Sequence, residues 1–336
     1  MDQPDGLPSG RVLRDLDDLR QTAAAIRHEL ARCIHGQQDV IDTLLTALFA
    51  DGHALLVGVP GLAKTLIVRS LAQALGLSFS RVQFTPDLMP SDITGTDILQ
   101  EDEHGHRRLE FVRGPVFANL VLADEINRAP PKTQSALLEA MQEHRVTVAG
   151  TSYALPEPFL VLATQNPIEQ EGTYPLPEAQ LDRFMVFVRV SYPSESEELA
   201  IARSATAGRA TGVSPVPGAG DIPRLQQAVG QVPVAEHLYR YAVRLVRASR
   251  PEAAAAEWVR RAVAWGAGPR ALQHLILAAK ARSALTGSHL VRLEDIRAVA
   301  PAVLEHRLIL TFQAESEGLS GRALALRLLD EVPADA

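Results

Sequence analysis

Gly58-Val59-Pro60-Gly61-Leu62-Ala63-Lys64-Thr65 is the stretch whose reading decides the fold. It follows Ala54-Leu55-Leu56-Val57, an apolar run that reads as a buried strand, and leads into Leu66 to Leu75, which reads as a helix. A glycine-rich loop in that setting is a phosphate-binding loop. Backbone N–H groups at a helix start face an anion, and the helix dipole favours negative charge there. Gly58, Val59, Pro60, Gly61, Leu62 and Ala63 then form the cradle, with Leu66 opening the helix. Lys64 reaches the β- and γ-phosphates and the Thr65 hydroxyl binds Mg²⁺. Ala63 stands where the usual pattern has glycine, and its presence predicts a negative φ, as at a helix start. The competing reading is a glycine-rich turn that carries a surface lysine.

The 336 residues suffice for two domains. Apolar residues make up 46% and aromatic ones only 5%, so alanine, leucine and valine carry the core. A net charge of −7 gives no bulk electrostatic case for nucleic acid or a membrane surface. Cys33 is the single cysteine, which excludes an intramolecular disulfide and fits a reducing cytosol. No apolar leader or membrane span is legible, and the expectation is a cytoplasmic protein.

Leu16, Leu19, Ala23, Ile26 and Leu30 recur with helical period, and Gln38 to Phe49 forms a second amphipathic helix beyond His35-Gly36-Gln37. Ala54–Val57, Phe79–Phe84, Leu120–Ala123, Phe159–Ala163 and Met185–Val190 read as buried strands. Helical segments separate most of them, which predicts a parallel α/β sheet. Two hairpins interrupt it. Ile98–Phe111 turns at Glu103-His104-Gly105-His106, and Arg145–Leu155 turns at Ala149-Gly150. The division expected is residues 1–204 as helices plus α/β core, a linker at about 205–220, and residues 221–336 as a small all-α domain.

Leu120-Val121-Leu122-Ala123-Asp124-Glu125 is an apolar strand ending in two acids. Ligands bind at such carboxyl ends in open α/β sheets. Asp124 suits a Mg²⁺ ion and Glu125 suits polarising a water, although a helix N-cap would use the same residues. Asn166, after the strand ending Ala163-Thr164-Gln165, can sense a γ-phosphate or simply make a turn before Pro167. Arg183, in Leu181-Asp182-Arg183-Phe184, suits insertion into a neighbour's site or a surface ion pair. Arg270, after Gly268-Pro269, opens a helix from which it can bridge a lid and phosphates, or stay solvated.

In this order the motifs resemble the AAA+ ATPases, and more narrowly the MoxR family. The likeness also rests on Asp124 to Gln134, Ala163 to Gly172 and Leu176 to Phe184. It spans roughly Gly36 to Leu308. It implies an AAA+ P-loop core with a C-terminal helical lid, an ATP and Mg²⁺ site between subunits of a homo-oligomeric ring, usually a hexamer, and ATP hydrolysis. By the resemblance Lys64 and Thr65 are Walker A residues, Asp124 and Glu125 Walker B, Asn166 sensor 1, Arg183 a trans arginine finger and Arg270 sensor 2. Gly36-Gln37 then packs near the adenine. MgATP is expected to close the lid onto the P-loop through Arg270. The hairpins correspond to inserts that face a central pore. The function implied is chaperone-like remodelling of partner proteins, often with a von Willebrand factor A domain. Alternatives are a magnesium-chelatase-type subunit, a nucleic-acid motor, which the acidic balance disfavours, and a non-catalytic scaffold. Asn127 and Arg128 match the pattern without a definite role.

Overall fold

The computed structural model describes residues 9–101, 107–168, 172–206, 212–218 and 221–334. It opens with α1 (Gly10–Ala31) and α2 (Gln38–Phe49). The Ser9 hydroxyl accepts from the Val12 N–H, one of the donors that a helix start leaves without a partner. Leu16, Leu19, Ala23, Ile26 and Leu30 are all buried, each leucine or isoleucine worth about 1.5–3 kcal/mol.

The core continues through β1 (Ala54–Val57), α3 (Lys64–Leu75), β2 (Phe79–Gln83), α4 (Pro90–Thr94), β3 (Gly95–Glu101), β4 (Arg107–Arg113) and β5 (Leu120–Asp124). Then come α5 (Pro131–Glu143), β6 (Arg145–Val148), β7 (Thr151–Ala154), β8 (Leu160–Gln165), α6 (Glu178–Leu181), β9 (Val186–Arg189) and α7 (Glu195–Thr206). Among the described residues a parallel sheet forms in the order β2-β5-β8-β1-β9. Val57 lies opposite Gln165 and Arg189, and Gln83 opposite Asp124. The strands therefore share one carboxyl edge. Their amino edge, where Ala54 lies opposite Val186, is about 10 Å away at about 3.3 Å per residue.

β5 and β8 are buried runs, as expected. β2 is not. It is an edge strand with Val82 buried and Arg81 and Gln83 exposed, and among the described residues no strand pairs with its outer side. The two hairpins are β3–β4 and β6–β7. They join where Phe111 stacks on Tyr153, ring centroids 4.1 Å apart. The expected tip Glu103–His106 lies outside the described residues.

The C-terminal part holds α8 (Ile222–Gly230), α9 (Glu236–Ala248), α10 (Glu257–Ala262), β10 (Val263–Trp265), α11 (Pro269–Leu285), α12 (Leu293–Leu304), β11 (Ile309–Leu310), α13 (Phe312–Ser316) and α14 (Gly321–Glu331). Sequence periodicity missed α7, α10 and α13, and also the short antiparallel pair β10–β11. The lid helices share one continuous hydrophobic core with α1, α2, α3 and one sheet face. A second cluster fills the other face beneath α5. The described part of the connection, 212–218, lies along the core: the Ser214 N–H donates to Glu29, the Val216 N–H donates to the Ala74 carbonyl, and Val216 is buried. Among the described residues no helix is long and apolar enough to cross a membrane.

Candidate functional site

The phosphate loop joins β1 to α3, which begins at Lys64. Ala63 takes the N-cap position at φ +57° and ψ +18°. This overturns the expectation of a negative φ. The loop turns left-handed at Gly61 and again at Ala63, at a cost to alanine of about 1–2 kcal/mol. Such outliers cluster at functional sites, and Glu125 is another, at φ +56°. Gly58 is required for a different reason: a Cβ there would lie 2.5 Å from the Val190 carbonyl oxygen at the end of β9. The Lys64 ammonium donates to the Gly58 carbonyl and, at 3.5 Å, to that of Val59. Burial lowers its pKa, opposed by the charges of Asp124 and Glu125. Thr65 is half-buried and Leu66 exposed in the first helical turn.

Asp124 ends β5 beside the loop. Its Oδ1 accepts from the Thr164 hydroxyl at 2.6 Å, and the same hydroxyl accepts from the Glu125 N–H at 2.9 Å. Arg81 donates to Asp124 Oδ2 from Nη2 at 2.6 Å and Nε at 3.0 Å. The Glu125 carboxylate accepts from Gln83 at 2.8 Å and from Arg128 at 2.9 Å. Gln134 donates to the carbonyls of Ile126 and Ala129, which shapes the turn after Glu125. Asn166 is buried after β8, where its Oδ1 accepts the Ile168 N–H, a turn-forming bond. Gln37 donates to the Ser191 carbonyl, and Glu197 packs over Gly36. Because Val190 abuts Gly58, these residues also gather at the carboxyl edge.

Arg183 and Arg270 do not. The Met185 N–H donates to the His53 carbonyl at the foot of β1, so Asp182-Arg183-Phe184 belongs to the amino edge. Arg183 opens onto a cleft of about 430 Å³ that also holds Glu139, Gln142, Glu143 and Arg145 and no residue of the phosphate loop. Arg270 pairs with Asp182 Oδ2 at 3.1 Å. The expectation that Arg270 draws the lid onto the P-loop of its own chain is therefore corrected. A strand's length separates Asp182, which holds Arg270, from that loop.

Sequence reading missed Arg81, Gln83, Thr164 and Arg307. The alternation Arg81-Val82-Gln83 was the available signal for the first two. Arg307, nearly fully buried, had no local signal.

A glycine-rich loop, two acids at a shared carboxyl edge, and a helical lid define a P-loop ATPase of the AAA+ class. Residues 53–186 match the model of the ATPase family associated with various cellular activities, and residues 255–325 match the AAA lid domain. The chain is 46% identical over 310 residues to Chaperone MoxR1 of Mycobacterium tuberculosis, covering 90% of this chain and 80% of that one. It is 35% identical over 315 residues to Protein MoxR of Methylorubrum extorquens, covering 88% and 90%. A solved structure from Cytophaga hutchinsonii, assigned as an ATPase, superposes with a TM-score of 0.87 at 42% identity, covering 95% of this chain and 97% of that one. The chain belongs to the MoxR family of AAA+ ATPases.

Proposed function

We infer that this protein hydrolyses ATP at interfaces between its own copies in a ring, and uses the cycle to remodel or activate partner proteins. One observation carries the ring reading: Arg183 lies on the amino edge next to Asp182, the residue that holds Arg270, while the phosphate loop occupies the carboxyl edge. Each copy then offers its phosphate loop to one nucleotide and its arginines to the next, a head-to-tail contact that closes as a ring.

The loop is free of a Cβ at Gly58 and Gly61, and Thr65 and Asp124 supply the hard oxygen donors that suit Mg²⁺. When bound, that ion neutralises charge on the β- and γ-phosphates. Lys64 and the loop amides hold the phosphates, and Gly36-Gln37 lie toward the adenine. Glu125, once released from Gln83 and Arg128, orients the attacking water. Asn166 reports the γ-phosphate. Arg183 of the adjacent copy, with Arg270, stabilises charge in the transition state.

The α/β core to residue 204 and the lid from 221 are the bodies whose relative motion would work on a client. Ile98, Leu99, Leu109 and Val112 lie exposed on β3–β4, with Leu99 directly opposite Leu109, and suit contact with apolar client segments. Kinship with a protein named a chaperone supports this use. A hexamer, a von Willebrand factor A partner and a cytoplasmic setting follow from the family resemblance and the single cysteine.

The test is complementation. Arg183→Ala and Lys64→Ala proteins are each expected to turn over ATP poorly alone and to recover activity in mixed rings. No recovery in verified mixed assemblies would remove the inter-subunit reading.

A further inference from the structure

Arg307 is a buried cation that the scheme above leaves unused: its side chain is 2% exposed, in the turn after α12. Nε donates to Asp182 Oδ1 at 2.7 Å. Nη1 donates to the carbonyls of Met185, at 3.2 Å, and Val303. Nη2 faces the carbonyls of Asp182 at 2.8 Å and Phe184 at 2.7 Å, and His274 Nδ1 at 2.7 Å. To accept from a guanidinium, His274 must be neutral at Nδ1. Burial, reinforced by the Arg307 charge, keeps it so by lowering its pKa to about 3.

Taking a guanidinium out of water is costly unless its donors are matched. Here four of the six acceptors belong to one segment, residues 182–185, and Arg183 lies inside it. The other carboxylate oxygen of Asp182 holds Arg270, one helical turn before His274 on α11. Two lid side chains, Arg307 and Arg270, thus converge on the segment that carries Arg183, and a third, His274, braces Arg307.

We propose that Arg307 is a positioning residue: it fixes Asp182 and the 182–185 backbone so that Arg183 and Arg270 are presented together to the nucleotide of the neighbouring copy. This rests on the inter-subunit reading above. It makes the lid of one copy a determinant of hydrolysis in the next.

The experiment uses the full-length protein, MgATP and three rings: Arg307→Met, Arg307→Met mixed with Lys64→Ala, and Arg183→Ala mixed with Lys64→Ala. Misplacing a catalytic group by about an ångström costs on the order of 100-fold, so kcat of Arg307→Met is expected to fall about 10- to 100-fold. KM should stay within about threefold, because each chain's own phosphate loop is untouched. Mixing should restore turnover, since Lys64→Ala copies carry intact arginines; a defect in folding or in the chain's own site would not be restored. Arg307→Lys, with part of the donor fork, should be intermediate. Asp182→Asn keeps the backbone acceptors and should reproduce the kcat loss and the rescue, so it carries the test if Arg307→Met does not fold. Wild-type-like kcat, or a raised KM at unchanged kcat, overturns the proposal. So does absence of rescue where the Arg183→Ala mixture is rescued. Absence of rescue in the Arg183→Ala mixture overturns the inter-subunit reading itself.

Discussion

The two edges of the central sheet are built differently. The carboxyl edge carries short polar motifs on strand ends: Gly58 to Thr65 after β1, Asp124-Glu125 after β5, Asn166 after β8. Its side chains satisfy one another locally, Thr164 stitching Asp124 to Glu125 while Arg81 and Gln83 reach in from the sheet edge. The amino edge has no motif-dense loop. Its order comes from a buried cation, the histidines His53, His274 and His306, and a carboxylate drawn from distant stretches of chain, with Arg307 lying 125 residues from Asp182. On the inter-subunit reading proposed above, one edge binds nucleotide and the other completes a neighbour's site, so a protomer holds halves of two sites.

The largest effect expected on the carboxyl edge is that of Glu125→Gln. Nucleotide binding should persist while turnover drops by about 10²–10⁴, the usual worth of a positioned general base. Loss of binding instead would mean that Glu125 shapes the loop, since its backbone is already left-handed and its N–H already bonded to Thr164.

Acid should separate the edges next. His53 sits at the foot of β1, accepting the Val161 N–H on Nδ1 and donating from Nε2 to the Met141 carbonyl. Burial lowers its pKa from 6.5 to about 4. Between those values the unfolded chain binds a proton that the native chain does not. Stability is therefore complete above pH 6.5 and is lost as pH falls, by up to about 1.4 kcal/mol per pH unit per such histidine. His274 adds to this in the same direction. Both belong to the amino edge. Thermal unfolding followed from pH 7 to 5 should show the decline, and His53→Gln should flatten it; an unchanged slope would release His53 from this role. The smallest effect is Ala63→Gly on the carboxyl edge, which should stabilise the fold by about 1 kcal/mol in a thermal melt by relieving the left-handed alanine. A destabilised protein would show that alanine's smaller unfolded-state entropy outweighs the relief.

The same contrast explains what the sequence could disclose. Strand-ending motifs are contiguous, so the positions of Lys64, Asp124, Glu125 and Asn166 at strand ends were legible, while the roles of the last three rested on the family resemblance; unbroken apolar runs marked β5 and β8. The sign of φ at Ala63 could not be read, because residue type expresses a preference that the wrap of the loop overrides. β2 was misjudged as buried although its alternating Arg81 and Gln83 signalled an edge. The convergence of Asp182, Arg270, His274 and Arg307 depends on how the lid helices return to the sheet, and no local pattern encodes that return. Short elements such as α10 and β11 contain too few residues to show a period.

Val190 closes against Gly58 at one end of β9, and the strand's other end follows directly from Arg183 through Met185. A strand that is already extended and laced to β1 cannot shorten or stretch to absorb a push. β9 is thus a span of four residues, with Gly58 of the phosphate loop against its tip and Arg183 just before its base. On the inter-subunit reading, this one short strand links the nucleotide site that a copy holds to the site that it completes in its neighbour.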